Sequence, residues 1–153
     1  MHTDSWAIKA KKQGLRSRAV FKLEEILLKT NALKSNALVL DIGSAPGGWS
    51  QLIKTLKPKS TVYAVDLLPM NPIKDVYFYQ SDVANIDAIK EISLLKTKFD
   101  LVISDLAPNL TGISAVDEEH IFELNFITLK TAINYLCKSH GSFILKTFQN
   151  SLL

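Results

Sequence analysis

The chain has 153 residues, a formal net charge of +3 and a hydrophobic content of 47%. These values predict one globular domain, residues 1–153, with enough apolar side chains for a full core, and they exclude the disordered and fibrous classes. The apolar runs are far shorter than the roughly 18 residues needed to span a bilayer, and the first residues lack the apolar core of a secretory signal. We therefore predict a soluble, monomeric protein of the cytoplasm or, alternatively, of an organelle matrix, with no membrane partner.

Positive charge is concentrated near the N-terminus. Residues 1–34, the basic arm, hold eight lysines and arginines against three acids, and the remainder of the chain is slightly acidic. A basic segment beside a nearly neutral body is typical of proteins that bind RNA or DNA. A solvated helix face would give the same charge pattern, so charge alone leaves both interpretations open.

Strand and helix patterns alternate along the chain. The first is a helix over 17–29 that begins after a possible N-cap, Ser17, and carries Val20, Leu23 and Leu27 on one face. Short apolar or β-branched runs predict strands, and amphipathic spacing predicts helices between them. The strands are expected at 37–43, 61–67, 76–82, 99–105 and 141–148, and the further helices at 49–57, 85–98 and 117–138. This order predicts an α/β fold with a mostly parallel sheet and helices on both faces.

Charged side chains stand where these predicted strands end. They are Asp41, Asp66, Asp82, Asp105 and Lys146. Ligands of parallel sheets bind at the carboxyl ends of the strands, so this edge is expected to meet hydroxyls, amines or cations. Capping of the following helices is an alternative role for one or two of the acids.

The loop "DIGSAPGGWS" (41–50) narrows the class of ligand. Its glycines permit a close approach of the backbone, and Asp66 follows Gly43 by 23 residues, where it could bind ribose hydroxyls. Ala45 takes the place of a glycine in the dinucleotide fingerprint, and Pro46 has no N–H for a phosphate. These features favour a ligand with a ribose and a base but no phosphate, such as S-adenosylmethionine. Tight packing between strand and helix would also explain the glycines.

Six blocks of the sequence resemble a known family. The blocks are "GLRSRAVFKLEEI" (14–26), "VLDIGSAPGGWSQ" (39–51), "VDLLPM" (65–70), "SDVAN" (81–85), "DLVISDLAPNLTG" (100–112) and "GSFILKTFQ" (141–149). Together they resemble the FtsJ/RrmJ heat-shock family of S-adenosylmethionine-dependent RNA 2′-O-ribose methyltransferases. The block "VDLLPM" is most similar to the branch that methylates a uridine of large-subunit ribosomal RNA.

The resemblance implies a Rossmann-like class I methyltransferase fold and a set of cofactor contacts. Gly47 and Trp49 would contact the methionine part of S-adenosylmethionine, and Asp66 would bind the ribose. Asp82, with Val83, would hold the adenine edge. The full set implied for the cofactor is Gly43, Ala45, Pro46, Gly47, Gly48, Trp49, Asp66, Leu67, Asp82, Val83 and Asp105.

The resemblance also implies a catalytic set, Lys22, Asp105 and Lys146. Lys146 would accept the proton of a ribose 2′-hydroxyl, for which it must be neutral; Lys22 would favour the neutral amine, whereas Asp105 would aim the lysine and favour its charged form. The family's fourth member, a glutamate on the closing strands of the sheet, has no counterpart, and we expect those strands to be absent. A non-catalytic RNA-binding or ribosome-assembly protein is therefore the alternative, and a dinucleotide-dependent oxidoreductase is a more distant one.

The partner implied is ribosomal RNA or the large ribosomal subunit. Phosphate contacts from the basic arm would lead the RNA toward the catalytic residues. The residues expected to make them are Lys9, Lys11, Lys12, Arg16 and Arg18.

Several residues also have simpler interpretations. Helical periodicity alone places Lys22 on a solvated face, and Trp49 could pack between helix and sheet. Cys137 is expected to be a thiol of the core. The three histidines have no metal-ligand spacing with one another or with Cys137, so we predict no metal.

Overall fold

A five-stranded parallel sheet forms the centre of the molecule. The computed structural model describes residues 5–12, 14–16, 19–106 and 110–147. The strands are β1 (Leu38–Ile42), β2 (Thr61–Asp66), β3 (Val76–Gln80), β4 (Leu101–Ser104) and β5 (Ser142–Leu145). Their order across the sheet is β3-β2-β1-β4-β5, and every neighbouring pair is parallel. The predicted α/β architecture is confirmed.

Helices precede β1 and follow β1, β3 and β4, whereas the described segment between β2 and β3 contains no helix. They are α1 (Ser5–Lys12), α2 (Val20–Thr30), α3 (Gly48–Leu56), a short 3₁₀ helix (Val83–Ala88), α4 (Lys90–Ser93) and α5 (Ser114–Tyr135). Helix α1 was not expected from the sequence, and the proposed N-cap Ser17 lies outside the described residues. Within the part of the chain that the structure describes, no helix has both the length and the apolar character needed to cross a membrane.

Two apolar clusters cover the two faces of the sheet. On one face Val39 of β1 packs with the predicted stripe of α2, whose Val20, Leu23 and Leu27 are all buried, and with α3. On the other face Leu40 and Ile42 pack with residues of the 3₁₀ helix, α4 and α5. Burial on both faces explains why the central strands β1 and β4 have continuous apolar sequences.

The predicted helix over 85–98 is wrong. The segment instead forms the 3₁₀ helix and the single turn of α4, followed by turns. Asn85 has non-helical angles (φ −105°, ψ 16°) inside the 3₁₀ helix, and Thr97 adopts a positive φ of 65°. The apolar residues Ile86 and Ile92 of this segment are nevertheless buried. The apolar spacing therefore identified the side chains that face the core but not the backbone conformation.

The prediction that Cys137 belongs to the core is also wrong. Helix α5 ends at Tyr135, and the thiol lies in the following turn, only partly buried. Its Sγ is 3.4 Å from Ser139 Oγ and 3.4 Å from His140 Nδ1. Hydrogen bonding to Ser139 is the main reason that the pKa of the thiol is lowered.

Candidate functional site

The carboxyl ends of the parallel strands form one edge of the sheet, and the predicted charged residues collect there. Asp66 is the last residue of β2, Asp82 follows β3 closely, and Asp105 and Lys146 directly follow β4 and β5. The capping alternative holds for Asp82, whose Oδ1 accepts the N–H of Ala84 at 2.9 Å. The remaining residues at this edge need another explanation.

The glycine-rich loop between β1 and α3 folds tightly over this edge. The N–H groups of Gly43 and Ser44 both donate to Val65 O of β2, at 2.8 and 3.2 Å. Gly43 has φ +74°, and a Cβ at this position would lie 2.7 Å from Leu106 Cδ2. Glycine is therefore required here by both its conformation and the available space.

Asp66 ties this loop to the segment after β2. Its Oδ2 accepts the N–H of Ala45 at 2.8 Å, and its Oδ1 accepts the N–H of Leu68 at 2.8 Å. An ionised carboxylate has about four acceptor positions, so Asp66 can make two more hydrogen bonds toward a ligand.

A cleft of about 310 Å³ opens between these elements. Five residues predicted to bind the cofactor line it, namely Gly43, Asp66, Leu67, Asp82 and Val83. Its remaining lining residues are apolar or uncharged, so the two carboxylates set its electrostatic character.

A small hollow shares Gly43 with the cleft. Five more predicted residues line it, namely Ala45, Pro46, Gly48, Trp49 and Asp105, together with Asp41 and Ser44. Gly47 does not line the hollow and lies instead beside Ile73 and Met70. A Cβ at this position would lie 2.8 Å from Ile73 Cδ1 and 3.0 Å from Met70 Sδ.

Asp41 in this hollow was predicted at the charged edge of the sheet but was not in the set implied for the cofactor. Its side chain is 1% exposed, and Oδ2 accepts the hydroxyl of Ser50 at 2.6 Å. Asp41 Oδ1 and Ser44 Oγ are buried and have no hydrogen-bond partner among the described residues. Burial raises the pKa of Asp41 from 3.8 to about 7, and the nearby charges of Asp105 and Asp66 add to the effect, against the hydrogen bond from Ser50. The sequence signal was an acid directly before the glycine-rich loop, at the end of a buried strand.

Asp105 and Lys146 form a pair across the ends of β4 and β5. Lys146 Nζ lies 3.3 Å from Asp105 Oδ1, and the side chains of Lys146 and Asp105 are 56% and 29% exposed, respectively. Partial burial raises the pKa of Asp105, while the ammonium of Lys146 opposes the shift. The pair therefore brings together a lysine and a carboxylate that borders the hollow.

The chain is similar to known proteins. The family model of FtsJ-like methyltransferases matches residues 15–153. The chain belongs to the FtsJ-like methyltransferase family.

Similar proteins support this membership. The chain is 42% identical over 153 residues to ribosomal RNA large subunit methyltransferase E of Coxiella burnetii, a match covering 95% of this chain and 72% of the relative. It is 39% identical over 152 residues to the protein of the same name from Thiobacillus denitrificans, covering 97% and 69%. A Plasmodium falciparum crystal structure described as a ribosomal RNA methyltransferase superposes with a TM-score of 0.78 at 29% identity, covering 90% of this chain and 80% of that one.

Lys22 does not join the Asp105–Lys146 pair in this FtsJ-like chain. Its Nζ lies 3.3 Å from Glu25 Oε2, and its side chain is 74% exposed. Glu25 also accepts a hydrogen bond from Lys29 at 2.8 Å. The structure thus places Lys22 in a surface ion-pair group, and its catalytic role stays a prediction.

Trp49 has the packing role, and its contact with the cofactor stays a prediction. The indole is 5% exposed and belongs to the apolar cluster on the α2 and α3 side of the sheet. Its Nε1–H donates to Ala19 O at 3.2 Å, which ties α3 to the start of α2. Trp49 also borders the hollow, so its packing fixes one wall of the candidate FtsJ-like site.

The basic arm is only partly described. Helix α1 carries Lys9, Lys11 and Lys12, and Lys9 Nζ lies 4.8 Å from the centre of the Phe21 ring. Arg18 and the side chain of Lys12 lie outside the described residues. The guanidinium of Arg16 donates to three backbone carbonyls, so it contacts protein, and its contact with phosphate stays a prediction.

Replacing Gly47 by alanine is expected to destabilise the fold by about 2–3 kcal/mol, because a positive φ and crowding act together. Gly47 has φ +110° and close neighbours, whereas Gly112 has φ +84° and no atom within 4 Å of the place where a Cβ would lie. The matched Gly112→Ala variant should therefore lose only about 1 kcal/mol, the cost of the backbone conformation. Urea unfolding of both variants checks this; equal losses would show that the crowding at Gly47 is relieved.

Proposed function

We propose that this chain transfers the methyl group of S-adenosylmethionine to a ribose 2′-hydroxyl of RNA, at a uridine of large-subunit ribosomal RNA. The observation that carries the proposal is the pair of Lys146 and Asp105, 3.3 Å apart at the edge where the cleft and the hollow meet the sheet. The names of the relatives support the RNA substrate, since those proteins are ribosomal RNA methyltransferases.

The residues of the cleft and the hollow fit S-adenosylmethionine. Asp66 and Asp82 offer acceptors for hydroxyl and amino groups, and no lysine or arginine is among the described residues that line the cleft. This favours a nucleoside over a dinucleotide, whose phosphates need donors or positive charge. In the hollow, the unpartnered Asp41 Oδ1 and Ser44 Oγ suit a ligand that brings donors and positive charge.

Lys146 is the residue we assign to proton transfer. When bound, the cofactor supplies a methyl group on a sulfonium, which the ribose oxygen attacks in line. Lys146, as a neutral amine, would accept the proton of the 2′-hydroxyl as its oxygen bonds to the methyl carbon. The bond between that carbon and the sulfonium sulfur would break, and S-adenosylhomocysteine would be the product. Asp105 holds the amine of Lys146 in place and stabilises the ammonium that results. The ribose 2′-hydroxyl is a weak nucleophile, so both orientation and a base are needed.

Methyl transfer to ribosomal subunits tests the proposal. Large subunits from a strain that lacks the modification are incubated with the chain and S-adenosylmethionine labelled in its methyl group. Labelled RNA that yields an alkali-resistant dinucleotide would locate the methyl group on a ribose 2′-oxygen, because alkaline cleavage requires a free 2′-hydroxyl. Transfer by these 153 residues would also show that a fourth catalytic glutamate is dispensable.

Two other outcomes would contradict the proposal in different ways. Calorimetric binding of S-adenosylmethionine without transfer would favour the non-catalytic RNA-binding or ribosome-assembly alternative. Binding of NADH in place of S-adenosylmethionine would favour an oxidoreductase.

RNA binding by the basic arm is expected to weaken steeply with salt. Each phosphate contact adds about 0.7–0.9 to the slope of log affinity against log salt concentration. Lys11→Gln should reduce that slope by about 1 and weaken binding to all RNA sequences alike. Filter binding at KCl concentrations between about 50 and 200 mM measures the slope.

The control for this measurement is Lys90→Gln, which removes an exposed lysine of α4, outside the basic arm. An unchanged slope for Lys11→Gln, or an equal reduction in both variants, would place the RNA elsewhere.

A further inference from the structure

Arg16 joins three segments that lie far apart in the sequence. Its Nη1 donates to Pro46 O at 3.1 Å and to Asn71 O at 2.8 Å, and its Nη2 donates to Pro72 O at 3.0 Å. Its backbone N–H donates to Gln51 Oε1 at 3.2 Å, which anchors the arm to α3. One side chain of the basic arm thus holds the glycine-rich loop and the segment after β2 against each other.

These two segments are the ones that Asp66 joins from the side of the cleft. Asp66 accepts from the N–H groups of Ala45 and Leu68, whereas Arg16 donates to carbonyls of Pro46 and Asn71. The Asp66 carboxylate therefore accepts hydrogen bonds from N–H groups of both segments, and the Arg16 guanidinium donates hydrogen bonds to carbonyls of both segments. Both segments also carry residues of the cleft or the hollow, so their separation sets the width of the cofactor site.

Gly47 leaves room for the aliphatic part of the Arg16 side chain. A Cβ at this position would lie 3.3 Å from Arg16 Cδ, besides its contacts with Ile73 and Met70. The planar fork of arginine can serve several carbonyls at once, which the single ammonium of lysine cannot reproduce.

We propose that Arg16 is a positioning residue that couples the RNA-binding arm to the cofactor site. The inference rests on the proposed function, because it assumes that the cleft binds S-adenosylmethionine and the arm binds RNA. RNA that holds the arm in place favours the geometry in which Arg16 braces both segments. By thermodynamic reciprocity, RNA then strengthens cofactor binding and the cofactor strengthens RNA binding by the same factor.

Calorimetry with S-adenosylmethionine tests the coupling. Arg16→Gln is expected to weaken cofactor binding about tenfold, and Arg16→Lys should recover only part of the loss. In the unmodified chain, saturating ribosomal RNA should tighten cofactor binding about fivefold or more, and this gain should vanish in Arg16→Gln.

The control variant is Lys11→Gln, which should weaken RNA binding and leave the affinity for S-adenosylmethionine without RNA unchanged. Cofactor affinity in Arg16→Gln equal to that of the unmodified chain, or a full RNA effect in that variant, would overturn the proposal. An equal loss in Arg16→Gln and Lys11→Gln would also overturn it, because the effect would then be one of general charge.

Hydrogen exchange without any ligand separates this inference from the proposed function. The amides of Ala45 and Leu68, which donate to Asp66, should exchange about tenfold faster in Arg16→Gln, and Gln51→Ala should give a smaller increase. Unchanged exchange in both variants would remove the structural basis of the coupling. If the unmodified chain binds no S-adenosylmethionine, the proposed function fails, but the exchange result still decides whether Arg16 braces the two segments.

Discussion

Replacing Lys146 by methionine is expected to reduce the rate of methyl transfer about 10³-fold and to leave the affinity for S-adenosylmethionine nearly unchanged. Methionine retains most of the length and volume of the side chain but has no amine to accept a proton. The lysine side chain is 56% exposed, so its loss should cost little folding stability. Single-turnover transfer to unmodified large subunits measures the rate, and calorimetry measures cofactor binding.

The matched control is Lys98→Met, an exposed lysine just before β4, at the amino end of the strands. It should retain full activity. A Lys146→Met variant that loses less than about tenfold in rate would exclude a base role for this lysine and leave orientation of the ribose as its contribution. Loss of cofactor binding together with rate would instead mean that Lys146 supports the cleft.

Affinity for S-adenosylmethionine is expected to rise with pH up to about pH 7, by as much as about tenfold per pH unit, and then to level off. Burial raises the pKa of Asp41 to about 7, so the ligand-free carboxyl is largely protonated below that pH. A positively charged ligand beside the unpartnered Oδ1 favours the carboxylate, so that binding at low pH must release a proton. Calorimetry between about pH 5 and 8 measures both the affinity and the number of protons released.

The pKa of Asp105 is also raised, so this residue could contribute to the pH dependence of binding. The variant Asp41→Asn separates the contribution of Asp41 from that of Asp105. The variant should bind more weakly above about pH 7 but show a much flatter pH dependence. A second readout is the stability of the ligand-free protein. Between about pH 4 and 7 the folded state keeps a proton on Asp41, whereas the unfolded state, in which the pKa has its usual value of 3.8, has lost it. The free energy of unfolding should therefore fall as pH rises from about 4 to 7, by at most about 1.4 kcal/mol per unit, and this slope should be smaller in Asp41→Asn. An identical pH profile of binding in both proteins would exclude Asp41 from the site.

The fold could be predicted from the sequence because the central strands are buried on both faces and therefore consist of continuous apolar residues. Successive residues of β1, such as Val39 and Leu40, pack into the apolar clusters on opposite faces of the sheet. The region after β3 was harder, because spaced residues such as Ile86 and Ile92 are buried by a 3₁₀ helix and turns as readily as by an α-helix. Cys137 was misplaced because the predicted helix continued past Tyr135, where α5 ends.

The candidate site was predictable only where a residue's position follows from the strand that carries it. Asp105 and Lys146 meet because β4 and β5 are parallel neighbours in register, which the strand order implies. The contacts of Arg16 could not be predicted, since they depend on loops 30 and 55 residues away that the side chain reaches by its length. The state of Asp41 was equally hidden, because it depends on how completely the hollow excludes water.

The strand order also determines when each part of the site can form during synthesis. Strands β1, β2 and β3 are consecutive in the chain and adjacent in the sheet, and the loops after them contribute most of the cleft. The Asp105–Lys146 pair needs β4 and β5, and about 40 residues separate its two members. At about 5–20 residues per second, a ribosome takes seconds to supply that segment. The nascent chain can therefore assemble most of the cleft before the Asp105–Lys146 pair exists. Refolding of the whole chain should be limited by the distant pairing of β1 with β4.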